Sequence, residues 1–294
     1  MIWWKALILG LIQGLTEFLP ISSSGHLTLA EGLMGITESN NFFNVVLHLA
    51  TLLAVIIVFW PDVKALLRHP FSRTGRLLIV ATIPTCVLAV CFKLLLSELF
   101  TVTFLGFGFL ISAMLLLVTT MALPRGNARQ LAGAMTSVGA HTSGFHAGAK
   151  SALAGKSGAN GQTGGTNEPN LTFTQAIMVG VSQGIAVLPG ITRSGATICT
   201  GQLMGASRED ALRFSFLLSI PVIIASMVYE LIGCGFVAPA IGFVPVLIGS
   251  VVAFLAALVS IRAMLKLARR GNWLWFSVYL FVLSTLVLTF TFAM

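Results

Sequence analysis

Residues 10–25 read GLIQGLTEFLPISSSG, and residues 180–195 read GVSQGIAVLPGITRSG. The two stretches match without a gap at an offset of 170 positions, with Gln–Gly, Ile and Ser–Gly at the same points. Polar-interrupted segments at corresponding points of two halves are typical of membrane proteins whose site lies between repeats. The sequence therefore predicts an internal repeat rather than a chance likeness between Gly-rich segments.

Composition places the chain in a membrane. Of its 294 residues, 56% are hydrophobic and 9% are charged, and the mean hydropathy is +0.96. A soluble domain carries about a quarter charged residues, so a water-covered fold is disfavoured. The apolar runs are continuous and approach the roughly 20 residues that cross a bilayer as a helix, which disfavours barrel strands. The net charge of +8 lies in loops between these runs and does not indicate nucleic-acid binding.

Each repeated stretch is interpreted as a re-entrant hairpin. Its first helix, from Lys5 to Leu19 in the first copy, is about 22 Å long, which is short for a hydrocarbon core of about 30 Å. Its non-helical tip needs protein or a water-filled cavity around it. Ordinary spans are predicted at Asn41–Trp60, Leu77–Leu96, Thr101–Leu123, Ala211–Gly233, Ile241–Ile261 and Trp273–Phe292.

The predicted fold is thus an all-α polytopic membrane protein of two inverted-topology repeats. Each repeat is a re-entrant helical hairpin followed by three transmembrane helices, and this odd number of spans inverts the second half. The chain forms a single membrane domain over residues 1–294, with a first repeat at 1–123 and a second at 171–294. Residues 124–170 are dominated by small and polar residues, so we predict a flexible cytoplasmic linker there.

Basic loops test this count of crossings. They contain Lys64, Arg68, Arg73 and Arg76; then Arg125, Arg129, Lys150 and Lys156; and finally Arg262, Lys266, Arg269 and Arg270. If each hairpin returns to the side of the membrane from which it entered, all of these loops lie on the same side, which should be the cytoplasm. Counting a hairpin as one crossing would put the last loop on the opposite side.

The first stretch carries an acid, hydroxyls and an imidazole. Gln13 and Glu17 are four positions apart and share a helix face. A carboxylate that faces lipid is costly, so Glu17 is expected to face a polar cavity. Past the proline follow Ser22, Ser23, Ser24 and His26. The alternative is that these groups only join helices by hydrogen bonds.

The second stretch carries a cation among glycines and hydroxyls. Arg193 needs an anionic partner or water at membrane depth, and its planar fork of donors matches phosphate oxygens. The neighbours expected to bind substrate are Gly190, Thr192, Ser194, Gly195 and Thr197, through backbone N–H groups, hydroxyls and a helix start. The alternative is an ion pair with Glu17 that ties the hairpins together, which does not exclude a ligand.

Other ionisable residues are weaker candidates. His48 lies inside the first predicted span and is a candidate cavity-lining residue. His141 and His146 fall in the predicted linker, where we expect no catalytic role. The charged cluster Arg208–Arg213 is interpreted as a solvated turn.

Together these motifs resemble the bacterial undecaprenyl-diphosphate phosphatases of the bacitracin-resistance type. Residues 13–26 resemble that family's Glu/Gln-x-x-x-Glu region with its following Ser-Ser-x-Gly-His. Residues 189–197, PGITRSGAT, resemble its Pro-Gly-x-Ser-Arg-Ser-x-x-Thr motif, with Thr192 in place of the usual Ser. The resemblance spans nearly the whole chain apart from the linker.

The resemblance implies hydrolysis of undecaprenyl diphosphate to undecaprenyl phosphate and inorganic phosphate, at an outward-facing site in the inner membrane. Arg193 would clamp the diphosphate, and Glu17 would orient or deprotonate His26 or hold a divalent cation. His26 would be nucleophile or general base, with Ser22 or Ser23 as the alternative nucleophile. Mg²⁺ or Ca²⁺ is the candidate cofactor, no organic cofactor is expected, and a homodimer is a candidate assembly.

A lipid-phosphate flippase or transporter is the rival function. Inverted repeats with helices broken at the midplane are typical of secondary transporters. Transport alone, however, gives no reason for a carboxylate, a hydroxyl and an imidazole to converge with Arg193. An anion channel would need rings of charge, and the sequence does not indicate them.

Overall fold

The structure is a computed structural model that describes residues 1–36, 41–95, 102–123, 169–234, 242–270 and 272–293. Within these ranges the regular secondary structure is helical throughout. The helices are α1 Trp3–Thr16, α2 Ser23–Leu33, α3 Asn41–Val58, α4 Trp60–Arg68, α5 Arg73–Leu95, α6 Val102–Ala122, α7 Phe173–Ile185, α8 Arg193–Leu203, α9 Arg208–Cys234, α10 Phe243–Arg270 and α11 Leu274–Ala293. The predicted linker, with His141 and His146, lies outside the described residues except for residues 169 and 170.

The predicted multi-pass helical fold is confirmed. In the described part of the chain, five helices are long and apolar enough to cross a membrane, namely α5, α6, α9, α10 and α11. The count rises to six if the bent pair α3–α4 is one span. The chain turns by 87° between these two helices, earlier than predicted, because Pro61 lacks the N–H that would continue α3.

The repeated stretches fold into two pairs of short helices. α1 and α2 contain 14 and 11 residues, and α7 and α8 contain 13 and 11. At 1.5 Å per residue each is about 16–21 Å long, so none crosses a bilayer alone. The 170-position offset carries the bounds of α2 onto those of α8. Both pairs therefore present a non-helical tip, at residues 17–22 and 186–192.

The two halves interlock through contacts between helices of opposite halves. α1 packs against α10 of the second half, α7 packs against α5 of the first half, and α6 packs against α11. Small residues allow the first two crossings to be close: a Cβ on Gly10 would lie 2.3 Å from the Gly249 carbonyl oxygen, and one on Gly180 would lie 2.2 Å from that of Ala81. Membrane helices that lack bulky side chains at a crossing pack backbone to backbone in this way.

An ion pair joins the halves away from the tips. The Arg213 Nη2 atom donates to both carboxylate oxygens of Asp62 at 2.9 Å. The interpretation of Arg208–Arg213 as a solvated turn is wrong, because α9 already begins at Arg208 and the Ser207 hydroxyl caps it by accepting from Asp210 N. The Asp62 carboxylate offsets the desolvation cost of the partly buried Arg213 guanidinium.

Aromatic packing anchors the first tip. The Phe18 ring lies 5.5 Å from that of Phe216 on α9, which lies 5.3 Å from that of Phe59. Phe18 is 2% exposed. Burying it between helices of both halves holds the preceding residue, Glu17, against the second tip.

Candidate active site

Glu17 is the centre of the polar groups where the two tips meet. Its Oε2 atom accepts hydrogen bonds from the Ser23 hydroxyl at 2.5 Å and from Gln13 Nε2 at 3.0 Å. The side chain is 4% exposed, so its charge must be compensated by protein groups rather than by bulk water. The expectation that Glu17 faces polar groups rather than lipid is met by these contacts.

Arg193 supplies the compensating charge from the other half. It is the first residue of α8, and its Nη1 atom lies 3.4 Å from Glu17 Oε1. Its side chain is 30% exposed, and Glu17 is its one side-chain partner in the described ranges. A guanidinium has five N–H donors, so most of them stay free for a ligand. The ion pair between Arg193 and Glu17, which the sequence left as an alternative, is therefore formed. It leaves further guanidinium donors available to a ligand.

Two small cavities flank this ion pair. The first lies between the tips, and its lining is Thr16, Glu17, Ser22, Ser23, Ser24, Ala186, Ile191, Thr192 and Arg193. The second lies between the hairpin tips and α9, and its lining is Glu17, Phe18, Gln183, Arg193, Ser194, Thr197, Ser215, Phe216 and Ser219. Glu17 and Arg193 line both cavities. A ligand bound in the first cavity would meet the Ser23 hydroxyl, the carboxylate and the guanidinium together.

The predicted binding hydroxyls divide between the two cavities. Ser22, Ser23, Ser24 and Thr192 line the first cavity, whereas Ser194 and Thr197 line the second. The Thr197 hydroxyl pairs with that of Ser215 at 2.6 Å, and the Ser194 hydroxyl donates to the Leu19 carbonyl at 2.9 Å. Ser23 is therefore the hydroxyl that the structure couples to a carboxylate.

The two glycines predicted to bind substrate, Gly190 and Gly195, shape the backbone of the second tip instead of lining a cavity. Gly190 has a φ of +83°, and its carbonyl accepts from the Ser112 hydroxyl at 3.2 Å. The Gly195 N–H donates to the Thr192 hydroxyl at 3.2 Å, which caps α8. That N–H is consequently occupied by the cap, and neither glycine lines either cavity.

Ser22 is held in an unusual backbone conformation immediately before Ser23. Its φ is +67°, the one positive value on a non-glycine residue in the described part of the chain. Such a conformation costs of order 1–3 kcal/mol and persists where surrounding contacts impose it. The Ser22 carbonyl accepts from the His26 ring at 2.7 Å and from the His26 backbone N–H at 3.2 Å.

The imidazole beside Glu17 belongs to His48 rather than His26. His48 Nε2 lies 3.7 Å from Glu17 Oε2, and its Nδ1 lies 2.7 Å from the Asn44 carbonyl. The ring of His26 points away from the carboxylate, with Nδ1 on Ser22 and Nε2 2.6 Å from the Tyr279 hydroxyl. The expected contact between Glu17 and His26 is absent because α2 carries the His26 ring toward α11.

Several residues at the site escaped the sequence analysis. Gln183 is 1% exposed, lines the second cavity, and its Nε2 lacks a partner in the described ranges. Its match with Gln13 in the repeat was a signal that could have found it. Ser112 and Tyr279 lie in apolar helices, where neither pattern nor spacing marks them.

Oxygen atoms near the first tip are of the type that a hard cation binds, but there are too few of them to complete its coordination shell. No group of three His, Cys, Asp or Glu side chains that could hold a metal occurs in the described ranges. Glu17 offers a carboxylate, and the buried Gln13 Oε1 has no hydrogen-bond partner in that same part of the structure. Mg²⁺ and Ca²⁺ prefer such oxygens but need about six or more of them, so phosphate or water oxygens would have to complete the shell.

These features define a membrane-embedded helical protein with a buried polar site. Hydroxyl, carboxylate and guanidinium converge at broken helices, inside an all-helical bundle that exposes apolar side chains to the bilayer.

Comparison with known proteins then gives the family. Residues 6–286 match the model of the bacitracin resistance protein BacA family, and the chain belongs to that family. A relative from Carboxydothermus hydrogenoformans, named undecaprenyl-diphosphatase, is 34% identical over 97% of this chain and 96% of its own length. One from Korarchaeum cryptofilum with the same name is 34% identical over 97% and 98%. Undecaprenyl-diphosphatase 1 of Shouchella clausii is 32% identical over 97% and 95%.

Proposed function

We propose that this protein hydrolyses undecaprenyl diphosphate to undecaprenyl phosphate and inorganic phosphate. The reaction regenerates the lipid carrier of cell-wall synthesis and removes the diphosphate that bacitracin binds. The observation that carries the proposal is the Glu17 carboxylate, which accepts the Ser23 hydroxyl while facing the Arg193 guanidinium in one buried cavity. The printed names of the relatives support the substrate.

Ser23 is the nucleophile of the proposed reaction. Its oxygen forms a bond to the terminal phosphorus while the bond to the lipid phosphate breaks. The Ser23 proton passes to Glu17 and from there to solvent or to the departing undecaprenyl phosphate. Water then attacks the phosphoserine, Glu17 takes a proton from that water, and the Ser23 oxygen regains one as phosphate leaves. His26 does not take the proton in this scheme, because both of its ring nitrogens are engaged elsewhere.

Arg193 neutralises the phosphate oxygens during both steps. Phosphoryl transfer depends mainly on positioning and charge neutralisation, and Arg193 lines the same cavity as Ser23. Ser22, Ser24 and Thr192 are the hydroxyls available to hold the remaining oxygens. Transport of an uncleaved lipid would leave the coupling between Ser23 and Glu17 without a role, so the flippase alternative is not favoured.

Phosphate release by the purified protein tests the function. In detergent, without any ion gradient, the protein should release phosphate from undecaprenyl or farnesyl diphosphate. Detergent removes every compartment, so turnover there can only be chemistry. If the protein instead transferred intact lipid diphosphate across the membrane of sealed vesicles and formed no phosphate, it would be a transporter and the proposed hydrolysis would be wrong.

We further propose that oxygens of Glu17 and Gln13 would hold a divalent cation. When bound with the substrate, the ion would neutralise the charge of the diphosphate. The buried and unpartnered Gln13 Oε1 supports this role. Chelation in the phosphate-release assay should lower turnover, and addition of Mg²⁺ or Ca²⁺ should restore it. Full activity in chelator would remove the ion from the proposal.

The two halves are proposed to be inverted repeats, with the α1–α2 hairpin entering from outside and the α7–α8 hairpin from the cytoplasm. The exchanged packing of α1 on α10 and α7 on α5 supports this, as do the basic loops. From the resemblance to the family, we also propose that the active site faces outward across the inner membrane. Cysteines placed at Ile2 and Asn170, after the native ones are removed, should label only from outside and only from inside, respectively. Labelling of both from one side would contradict the inversion.

Replacement of Arg193 by Lys should lower turnover roughly ten- to a hundredfold. Lys keeps the charge but loses the planar fork that can give two parallel bonds to a phosphate, and one charge-assisted hydrogen bond is worth about 1.5–3 kcal/mol. Steady-state phosphate release at equal folded amounts measures the effect.

Arg213→Lys is the matched control for this substitution. It alters the bidentate pair with Asp62, which lies outside both cavities. We expect it to lower thermal stability and leave kcat near the unsubstituted value. If Arg193→Lys behaves like this control, Arg193 is only a tie to Glu17.

A further inference from the structure

Two hydrogen bonds link a lipid-facing helix to the residue that precedes the proposed nucleophile. Tyr279 on α11 lies with its hydroxyl 2.6 Å from His26 Nε2, and the two rings stack with centroids 5.7 Å apart and planes 12° apart. His26 Nδ1 lies 2.7 Å from the carbonyl oxygen of Ser22. Ser22 immediately precedes Ser23, whose hydroxyl is bonded to Glu17.

The partners define the protonation of the His26 ring. A carbonyl oxygen only accepts hydrogen bonds, so Nδ1 carries a proton. In the neutral ring Nε2 then holds a lone pair, and the Tyr279 hydroxyl donates to it. The Ser22 carbonyl therefore fixes the tautomer, and the Tyr279 hydroxyl holds the other nitrogen and with it the orientation of the ring.

The position of Tyr279 is unusual for a polar group. It is 45% exposed, and its neighbours Val278 and Val282 are 49% and 53% exposed on the lipid-facing surface of α11. A phenol in hydrocarbon needs a partner, and that need alone would explain some hydrogen bond. It does not explain why the partner is the ring whose other nitrogen holds the strained residue next to Ser23. Phe109 packs edge-on against the same ring at 5.7 Å and limits its rotation.

We propose that Tyr279 is a positioning residue for the reaction, acting through His26 on the Ser22 carbonyl and so on the direction of the Ser23 hydroxyl. The positive φ of Ser22 is the reason such a brace is needed, because a free chain would relax from that conformation. Without the phenol, the ring can turn away, the Ser22 carbonyl keeps only the His26 backbone N–H of its two donors, and Ser23 meets phosphorus less often in line. Substrate affinity would be little affected, since Arg193 and the other hydroxyls remain.

Tyr279→Phe tests this inference, which rests on the proposed function. We expect kcat to fall about three- to tenfold, the amount that loss of one neutral hydrogen bond gives, with KM within about twofold. Tyr229→Phe is the matched control, because Tyr229 is 43% exposed on another membrane helix and its ring contacts Lys93 rather than the site. That control should leave kcat unchanged.

A double-substitution cycle separates positioning from general packing. In a His26→Gln background, Tyr279→Phe should have no further effect on kcat, since the residue through which it acts is gone. An equal loss of kcat in both backgrounds, or no loss in either, would overturn the inference.

Nitrogen-15 NMR of labelled histidine tests the effect of Tyr279 on the His26 ring without any turnover. The His26 signals, assigned by their loss in His26→Gln, should show the Nδ1–H tautomer in the unsubstituted protein and a mixture or the other tautomer in Tyr279→Phe. An unchanged tautomer in the variant would contradict the proposal. If the unsubstituted protein released no phosphate, the proposed function would fail while this measurement still decided whether the brace exists.

Discussion

Glu17→Gln should reduce phosphate release by roughly a hundred- to ten-thousandfold, the range expected for loss of a positioned proton acceptor. Glutamine keeps the size of the side chain and can still accept the Ser23 hydrogen bond, but it cannot take the proton. It also leaves Arg193, 3.4 Å away, without its counter-charge. The measurement is single-turnover and steady-state phosphate release, with thermal unfolding in detergent to show that the protein is folded.

Glu31→Gln is the matched control for this variant. Glu31 lies on α2 of the same half, its carboxylate accepts from Asn44 Nδ2 at 3.2 Å, and it lines neither cavity. Its replacement should leave turnover within about threefold. A folded Glu17→Gln protein that keeps more than about a tenth of the normal rate would show that another group accepts the proton, and His48 would be the first to examine.

Gly190→Ala should be the most damaging backbone substitution at the site. The φ of +83° is one that residues with a Cβ rarely adopt, and a Cβ there would lie 2.3 Å from the Leu105 carbonyl oxygen and 2.9 Å from Phe109 N. Both contacts are with the backbone of α6, which cannot move aside as a flexible side chain can. Backbone strain and overpacking together should cost roughly 2–6 kcal/mol. We expect a clear fall in the thermal unfolding temperature and in the yield of folded protein.

Gly32→Ala gives the comparison for Gly190. A Cβ on Gly32 would meet no heavy atom within 4 Å, and alanine in a helix is at least as favourable as glycine. Stability should therefore stay the same or rise by up to about 1 kcal/mol. Equal stability of the two variants would mean that α6 does not constrain the second tip as the structure indicates.

Much of the fold was accessible from local sequence. Continuous apolar runs predicted helical spans, and the predicted first short helix, Lys5–Leu19, lies within a few residues of α1 at both ends. The bounds of α2 and α8 are related by the 170-position offset of the repeat. The resemblance to the bacitracin-resistance family is confirmed by the match over residues 6–286. The exceptions were boundaries set by single residues, such as Pro61, and the start of α9, where a serine cap extends the helix over a charged cluster.

Within the candidate site, the sequence predicted which residues lie together better than which of them pair. Glu17, Ser23 and Arg193 do lie together, as their shared tips implied. Of the roles left open for Glu17, the pairing with His26 is not formed in the structure, because proximity along the chain does not fix which way a ring turns on α2. The substrate-binding roles of the hydroxyls and glycines stay predictions.

What the sequence determined by itself was the class of the protein, its two matching stretches and the charged residues that those stretches carry. These follow from local properties: length and polarity of runs, and the high cost of a charge in hydrocarbon. Only the tertiary structure decided that His48 faces Glu17 and that Tyr279, 253 positions from His26, holds its ring. Such contacts depend on how α3 and α11 pack across the halves, and packing among long apolar helices leaves little trace in the local pattern of any one of them.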